Sequence, residues 1–208
     1  MAQLEIKCLN VGLIQTNAYV AYDDEIKEAV IIDPGAEADR LSDCIEQLGL
    51  SLKAVLLTHS HSDHYQALAE LKEKYKMPVY LNELDKYRLK DQKGFVDASY
   101  DWADDDIFVN DGDHLSIGGM EIDVIHTPGH TEGGVCYYFK NNGVLFAGDT
   151  LFFHSWGRTD FPGGNERALM ASIRNKLLVL PKEVLVLPGH ERATSIEEER
   201  MVHNFKGE

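Results

Sequence analysis

The sequence predicts an α/β fold in which strands and helices from both halves of the chain build one shared site. Short apolar runs rich in Val, Leu and Ile, bounded by Pro or Gly, are typical of buried strands. Segments with apolar residues at helical spacing alternate with these runs along both halves. The tetrapeptides Thr-Pro-Gly-His and Leu-Pro-Gly-His, which end at His130 and His190, indicate an internal duplication with a site at the seam.

The first half is predicted to begin with strands and to continue as alternating strands and helices. Leu41, Cys44, Ile45 and Leu48 occupy positions i, i+3, i+4 and i+7, which predicts one face of a helix that stops at Gly49. The predicted strands are 3–9, 16–22, 27–32, 53–57 and 78–81, and the predicted helices are 37–48, 65–75 and 83–91.

The second half contains more strands, and two helices follow them. Asn165 is a suitable N-cap for the first of these helices, and Thr194 with Glu197 three residues later forms a capping-box pattern for the last one. The predicted strands are 106–110, 114–117, 120–126, 134–140, 143–148 and 184–187, and the first helix is predicted at 165–178.

The segment 93–112 differs in character because it is rich in Asp and aromatic residues and has little periodicity before Ile107. A solvated surface loop is the simpler interpretation. A mobile flap whose aromatic residues cover the substrate is the alternative, since loops on a rigid scaffold often gate sites.

A cluster of metal-ligand side chains directly follows the apolar run 54–57. His59, His61, Asp63 and His64 lie within six residues at the mouth of a predicted buried strand. Imidazoles and a carboxylate concentrated there would cost desolvation energy and repel one another unless a cation lay between them. The pattern therefore predicts a divalent metal site.

Three further apolar runs end in a candidate ligand, namely His130, Asp149 and His190, and Pro-Gly precedes both of these histidines. Polar groups at the ends of several buried strands converge at one edge of a sheet. A solvated loop explains this pattern poorly, because that explanation would have to hold independently at all four strand ends. We interpret the remaining histidines as satisfied core residues: His114, His126, His154 and His203. For His154, just beyond the Asp149 turn, a place in the lining of the pocket is the alternative.

Composition restricts the partners and the compartment. The length suits one domain over residues 1–208, and the net charge of 20 − 35 = −15 argues against a nucleic-acid partner. No signal-peptide pattern or membrane-spanning apolar run is present, so we expect a cytoplasmic protein that acts on a small molecule and not at a membrane. The three cysteines are far apart without a CxxC motif, which predicts no disulfide framework.

These motifs, in this order, resemble the metallo-β-lactamase superfamily over nearly the whole sequence. HxHxDH, Pro-Gly-His followed by Thr-Glu-Gly-Gly, Gly-Asp-Thr and a second Pro-Gly-His fill every ligand position of that family. The resemblance implies an αββα sandwich with two mixed sheets face to face and helices outside. It also implies two metal sites, one held by His59, His61 and His130, the other by Asp63, His64 and His190, with Asp149 as the bridging ligand.

Asp at position 149, where true lactamases carry Cys or Ser, resembles the thioesterase, lactonase and phosphodiesterase branches of the superfamily. The stretches 148–152 and 157–164 resemble short bacterial relatives of hydroxyacylglutathione hydrolase (glyoxalase II). The resemblance implies hydrolysis of a small thioester such as S-lactoylglutathione by a hydroxide that bridges two divalent metal ions. Asp63 would be both a ligand and the group that orients this hydroxide, and Zn²⁺ is the expected cofactor, with iron or manganese as alternatives.

Other functions remain open at this stage. Persulfide dioxygenases also resemble the sequence and would hold a single iron on His59, His130 and Asp149, and a lactone or other ester hydrolase is a further alternative. A metal-binding protein without catalysis fits less well, because a structural zinc site is closed by four ligands, whereas this sequence offers seven ligands for two ions. Arg158 is a candidate clamp for a substrate carboxylate, and an ion pair with Asp160 is the competing interpretation.

Overall fold

Two six-stranded sheets contain most of the strands in the computed structural model, which describes residues 3–90 and 98–203. The first sheet comprises, in spatial order, β1 (Leu4–Val11), β2 (Thr16–Asp23), β3 (Glu28–Ile32), β4 (Ser51–Leu56), β5 (Val79–Leu81) and β6 (Ile107–Phe108). Strands β1 to β3 pair antiparallel, and β3 to β6 run parallel. The first half of the chain therefore builds one complete mixed sheet.

The second sheet comes from the second half of the chain. Its strands are β7 (His114–Ile117), β8 (Met120–His126), β9 (Val135–Phe139), β10 (Val144–Gly148), β13 (Leu185–Pro188) and β14 (Thr194–Ser195). Their spatial order is β14-β13-β10-β9-β8-β7, with β13 parallel to β10 and the other pairs antiparallel. A separate hairpin of β11 (Leu151–Phe152) and β12 (Ser155–Trp156) projects after β10.

Helices lie on the outer faces of the two sheets. They are α1 (Ala38–Gln47), α2 (Leu68–Tyr75), α3 (Glu166–Ser172), which continues as a π turn at Ile173–Leu177, and α4 (Ile196–Val202). Short 3₁₀ segments cover Ser62–His64, Glu83–Leu89 and Lys140–Asn142.

Three apolar cores separate these layers. Leu41 of α1 and Leu68 of α2 are fully buried in a core with the outward face of the first sheet. Ile32 and Phe146 belong to a second core shared by the two sheets, and Leu169 of α3 belongs to a third core outside the second sheet. Helix, sheet, sheet and helix layers are thus each joined by buried apolar surface, which confirms the predicted αββα sandwich.

Most predicted elements are confirmed within a few residues, and the exceptions have local causes. The last helix was predicted to begin at Thr194, but the backbone of Thr194 pairs in β14 and Ser195 accepts the capping hydrogen bond from Glu198 N instead. The predicted helix 65–75 begins only at Leu68, and the predicted helix 83–91 is a 3₁₀ helix in its described part. The strands β11, β12 and β14 were not predicted, since each is only two residues long.

The described part of the segment 93–112 is anchored, which corrects its interpretation as a solvated loop; residues 93–97 lie outside the described residues. Tyr100 is buried and donates a hydrogen bond to Asp106 Oδ2 at 2.6 Å. The ring of Trp102 stacks on Phe108 with centroids 4.5 Å apart. The Asp106 carboxylate also accepts hydrogen bonds from Val79 N and Lys72 Nζ, and these bonds fix the stretch against the first sheet.

Two histidines interpreted as core residues lie on the surface. His114 is exposed on the edge strand β7, where its ring nitrogens contact Asp123 and Glu121 at 2.7 and 2.6 Å. His154 is exposed in the β11–β12 turn, and its Nε2 lies 2.8 Å from Glu198 Oε1. The prediction was wrong for both, because strand ends and turns favour solvated ion pairs. His126 and His203 are partly buried.

The three cysteines form no disulfide, as predicted, and Cys136 is a buried core residue of β9. Among residues 3–90 and 98–203, every helix is too short or too polar to cross a lipid bilayer.

Candidate metal centre

The structure brings all seven predicted ligands together at one edge of the sandwich. In each sheet the parallel strands place their carboxyl ends at one edge. These two edges meet, because His64 after β4 contacts Asp149 after β10, and Asp63 contacts His190 after β13. Three groups of side chains have ligand atoms within 4.8 Å of one another: His59, His61 and His130; Asp63, His64 and His190; and Asp33, His59 and His64.

The first group has ring nitrogens whose lone pairs converge. His130 Nδ1 donates to the carbonyl oxygen of Arg158 at 2.7 Å, so the neutral ring carries its lone pair on Nε2. His59 Nδ1 contacts Thr58 Oγ1 at 3.1 Å, and that hydroxyl donates to Asp33, so His59 Nε2 is also unprotonated. Both lone pairs face His61 Nδ1, at 2.9 and 3.1 Å. One proton on His61 could pair with only one of them, whereas a metal ion satisfies all three nitrogens.

The second group places an imidazole nitrogen against carboxylates. His64 Nδ1 donates to Asp33 Oδ2 at 2.9 Å, and His64 Nε2 lies 3.3 Å from Asp63 Oδ2. Nε2 of His190 lies at the same distance, 3.3 Å, from that oxygen. Nε2 of His64 is fully buried and has no hydrogen-bond partner in the described part of the chain. A cation between these atoms would remove that cost.

Asp149 lies between the two groups. Its Oδ2 is 3.5 Å from His130 Nε2 of the first group and 3.7 Å from His190 Nε2 of the second. Its Oδ1 is 3.4 Å from His64 Nε2, and this oxygen is buried without a hydrogen-bond partner among the described residues. One carboxylate therefore reaches the ligand atoms of both groups, as bridging requires.

The electrostatics of the cluster favour a bound cation. Burial, together with the neighbouring His130 and His64, lowers the pKa of His61 to about 3. Burial opposes ionisation of Asp149, but the nearby imidazoles, His64 first, outweigh it and lower its pKa to about 2. Burial also disfavours a charged His64, yet Asp63 and the other carboxylates overcome this effect and raise its pKa above the usual value. A divalent ion can replace that proton.

Two glycines give the ligands room to approach. A Cβ at Gly189 would lie 2.3 Å from Asp149 Oδ1 and 2.7 Å from His64 Cε1. A Cβ at Gly35 would lie 1.9 Å from the carbonyl oxygen of Asp63. The Pro-Gly sequences next to the ligands are thus needed for close packing as well as for turning the chain.

Sequence reasoning missed Asp33, which supports both groups. This buried carboxylate accepts hydrogen bonds from Thr58 N at 2.8 Å, Thr58 Oγ1 at 2.6 Å and His64 Nδ1 at 2.9 Å. The signal was present, because the apolar run of β3 ends in Asp-Pro-Gly just as other runs end in ligands. A carboxylate behind a ligating histidine fixes its tautomer and ring orientation.

A second support was also missed, and it has no comparable signal. Asp85 is buried and accepts hydrogen bonds from Ser60 N at 3.1 Å and Gly133 N at 2.8 Å. It thereby joins the two loops that carry the histidines of the first group. Arg88 lies 3.4 Å from Asp85 and donates to the carbonyl oxygen of Pro162 at 2.5 Å. The loop 157–164 is thereby joined to the same support.

The structure places Arg158 beside the cluster and in an ion pair. Its guanidinium donates to both oxygens of Asp160 at 2.7 Å and stacks over the ring of Phe161 at 3.8 Å. The ring of Phe161 meets His61 edge-on at 5.8 Å. Both Arg158 and Phe161 are exposed, so they form part of the rim above the first group, and a role in substrate binding stays a prediction.

An αββα sandwich with a cluster of His and Asp at the edge shared by its sheets indicates a metal-binding protein. Residues 11–190 match the Metallo-beta-lactamase superfamily, and the chain belongs to it. The resemblance seen in the sequence is confirmed, and the cluster suits divalent metal ions.

Several relatives match over nearly their whole length. The chain is 39% identical to the probable metallo-hydrolase YqgX of Bacillus subtilis over 94% of each chain. It is 37% identical to the hydroxyacylglutathione hydrolase GloC of Haemophilus influenzae, over 97% of this chain and 98% of the relative.

Solved structures agree with the fold. The B3 metallo-beta-lactamase BLEG-1 has a TM-score of 0.88 at 40% identity, covering 95% of this chain and 97% of that one. A di-iron-bound form of TTHA1623 has a TM-score of 0.79 at 34% identity, with 94% and 98% coverage. ETHE1 from Myxococcus xanthus has a TM-score of 0.78 at 31% identity, with 94% and 81% coverage.

Proposed function

We propose that this protein is a binuclear metallohydrolase that cleaves a small acyl thioester. The observation that carries the proposal is the position of Asp149, whose carboxylate reaches ligand atoms of both histidine groups. The first ion would be held by His59, His61 and His130 and the second by Asp63, His64 and His190. Asp149 would be shared by both ions.

A pair of divalent ions bound here would supply an acidified water near neutral pH and a Lewis acid for the carbonyl oxygen. The protein's own groups would hold and orient the reactants. Asp63 would accept a hydrogen bond from the attacking water and fix its direction. The buried Asp33 keeps the Nδ1 proton on His64, so that Nε2 stays available as a ligand. The rim residue Phe161 shields the centre next to His61.

The thioester is proposed on two grounds. A relative that is 37% identical over nearly its whole length bears the name hydroxyacylglutathione hydrolase. A thiolate is also a leaving group that suits Zn²⁺, which accepts sulfur ligands readily. At the rim, the guanidinium of Arg158 would bind a carboxylate of this substrate in place of Asp160, with which it forms an exposed ion pair. S-lactoylglutathione combines a thioester with carboxylates and is the first substrate to test.

Metal analysis combined with a thioester assay tests the proposal. Purified protein supplied with zinc should carry close to two ions, and S-lactoylglutathione should be hydrolysed at a rate that chelators abolish. Asp149→Asn should lose both metal and activity, because it removes the shared charge. Asp123→Asn, which changes a half-exposed carboxylate on β8, is the matched control and should keep both.

Two results would move the assignment. A content near one iron, with consumption of dissolved O₂ in the presence of a glutathione persulfide and no thioester hydrolysis, would favour a dioxygenase with iron on His59, His130 and Asp149. A structure 34% identical to this chain is described in a di-iron-bound form, so this fold accepts iron, and the number of ions per chain rather than the presence of iron separates the two candidates. Hydrolysis of a β-lactam without thioester cleavage would instead align the chain with BLEG-1.

A further inference from the structure

The first residue of β2 lies against the second ligand group. Thr16 pairs with Val11 next to the turn of the β1–β2 hairpin, and only 1% of its surface is exposed. Its hydroxyl Oγ1 donates a hydrogen bond to Asp63 Oδ2 at 3.1 Å. A side chain of the first hairpin therefore contacts a predicted metal ligand that lies 47 positions later in the sequence.

The acceptor in this bond is the oxygen that faces the other members of the group. Oδ2 of Asp63 lies 3.3 Å from His64 Nε2 and 3.3 Å from His190 Nε2. A carboxylate that ligates through one oxygen can rotate and exchange its two oxygens. A hydroxyl that donates to Oδ2 opposes this rotation and selects one orientation.

The next residue of β2 fixes the chain on both sides of His190. Asn17 N donates to the carbonyl oxygen of Gly189 at 2.7 Å, and its side-chain amide donates to Pro188 O at 3.0 Å and Glu191 O at 2.9 Å. Two consecutive residues thus contact both loops that supply the second group.

Water cannot easily replace the Thr16 hydroxyl. A Cβ at the neighbouring Gly35 would lie 3.3 Å from the Cβ of Thr16 and 1.9 Å from the carbonyl oxygen of Asp63, so these three residues are in close contact. Valine has the shape of threonine without the hydroxyl. Thr16→Val would therefore remove the hydrogen bond without opening space for a solvent molecule.

We propose that Thr16 is a positioning residue that orients the Asp63 carboxylate for the second metal ion. The inference rests on the binuclear centre proposed above. Mutation of groups that orient metal ligands costs about tenfold to a hundredfold in metal affinity or activity. The loss should fall on the second site, because the contact from Thr16 is to Asp63 and not to a histidine of the first group.

The test is a Zn²⁺ titration of the metal-free protein against a chromophoric chelator, repeated with Co²⁺ to record the absorption bands of each site. Wild type should bind two ions. Thr16→Val should weaken the second Kd by about tenfold to a hundredfold, leave the first Kd unchanged and alter the second Co²⁺ spectrum. With both sites saturated, kcat should fall while KM stays close to wild type. Thr16→Ser, which keeps the hydroxyl, should restore the affinity and the spectrum.

The matched control is Thr194→Val. Thr194 is 5% exposed and its hydroxyl also donates to a buried carboxylate, Glu199 Oε1, which is not one of the predicted ligands. Its loss should lower the melting temperature and leave both Kd values unchanged.

Each outcome decides a different claim. Two ions bound by Thr16→Val with wild-type affinity and spectrum would overturn the role of Thr16 and leave the binuclear centre standing. A single ion in the wild type would overturn both. If Thr16→Val does not fold, Thr16→Ala replaces it, and equal second-site affinity in Thr16→Ala and Thr16→Ser would overturn the inference.

Discussion

Replacing Asp33 by Asn should disconnect the metal centre from the hydrogen bonds beneath it. The carboxylate accepts three hydrogen bonds, from Thr58 N at 2.8 Å, Thr58 Oγ1 at 2.6 Å and His64 Nδ1 at 2.9 Å. Asn has almost the same shape but one acceptor oxygen and an NH₂ group. In either orientation, a donor now faces a donor in a site that is 1% exposed.

The geometry sets the size of the effect. If the NH₂ group takes the place of Oδ1, it opposes Thr58 N–H, and a buried backbone donor left unpaired costs about 1 to 3 kcal/mol of stability. If it takes the place of Oδ2, it opposes His64 Nδ1–H and favours the wrong tautomer of that ligand. In both cases His64 loses its charged partner, and we expect about a tenfold to hundredfold loss of metal affinity.

Chelator competition measures the affinity, and thermal denaturation of the metal-free protein measures the stability. The matched control is Asp106→Asn, because this carboxylate is also buried and accepts several hydrogen bonds, one of them from Val79 N at the start of β5. That position is at the edge of the first sheet opposite the metal ligands. The control should lose stability and keep its metal affinity. Wild-type metal affinity in Asp33→Asn would refute the reasoning.

Three further results are expected. Gly189→Ala should empty the second site first, as measured by metal analysis, because its Cβ would lie 2.7 Å from Cε1 of the second-site ligand His64 as well as against the shared Asp149; unchanged metal content would contradict this packing argument. Arg158→Ala should raise KM about tenfold to a hundredfold with little change in kcat, and a fall in melting temperature without a kinetic effect would make its ion pair purely structural. His114 should titrate by NMR with a pKa above its usual value, chiefly because of its hydrogen bond with Asp123, and Asp123→Asn should reduce this shift. The ion pair should stabilise the fold below about pH 6.5 and cease to do so as pH rises through the raised pKa.

The sequence predicted the ligands because four apolar runs end in His or Asp, one of them in the HxHxDH motif. The run before Asp33 ends in the same way, so Asp33 was recoverable in principle, but it belongs to none of the family motifs. Thr16 and Arg88 carry no such signal. Thr16 meets Asp63 across 47 positions, and Arg88 meets Pro162 across 74. The first contact depends on the strand order within the first sheet and the second on how the two halves of the chain pack, and no short window of sequence records either of them.

The hydrogen bonds from Asp33 and from Thr16 to the metal ligands should have different effects on the two metal sites. His59 Nδ1 contacts Thr58 Oγ1, this hydroxyl donates to Asp33 Oδ2, and the same oxygen accepts from His64 Nδ1. One chain of hydrogen bonds therefore joins a ligand of the first site to a ligand of the second. Asp33→Asn interrupts this chain at its centre and should weaken both Kd values, whereas Thr16→Val acts on Asp63 alone and should weaken only the second. Equal patterns in the two variants would mean that the sites load as one unit, and the shared carboxylate rather than these hydrogen bonds would then control metal binding.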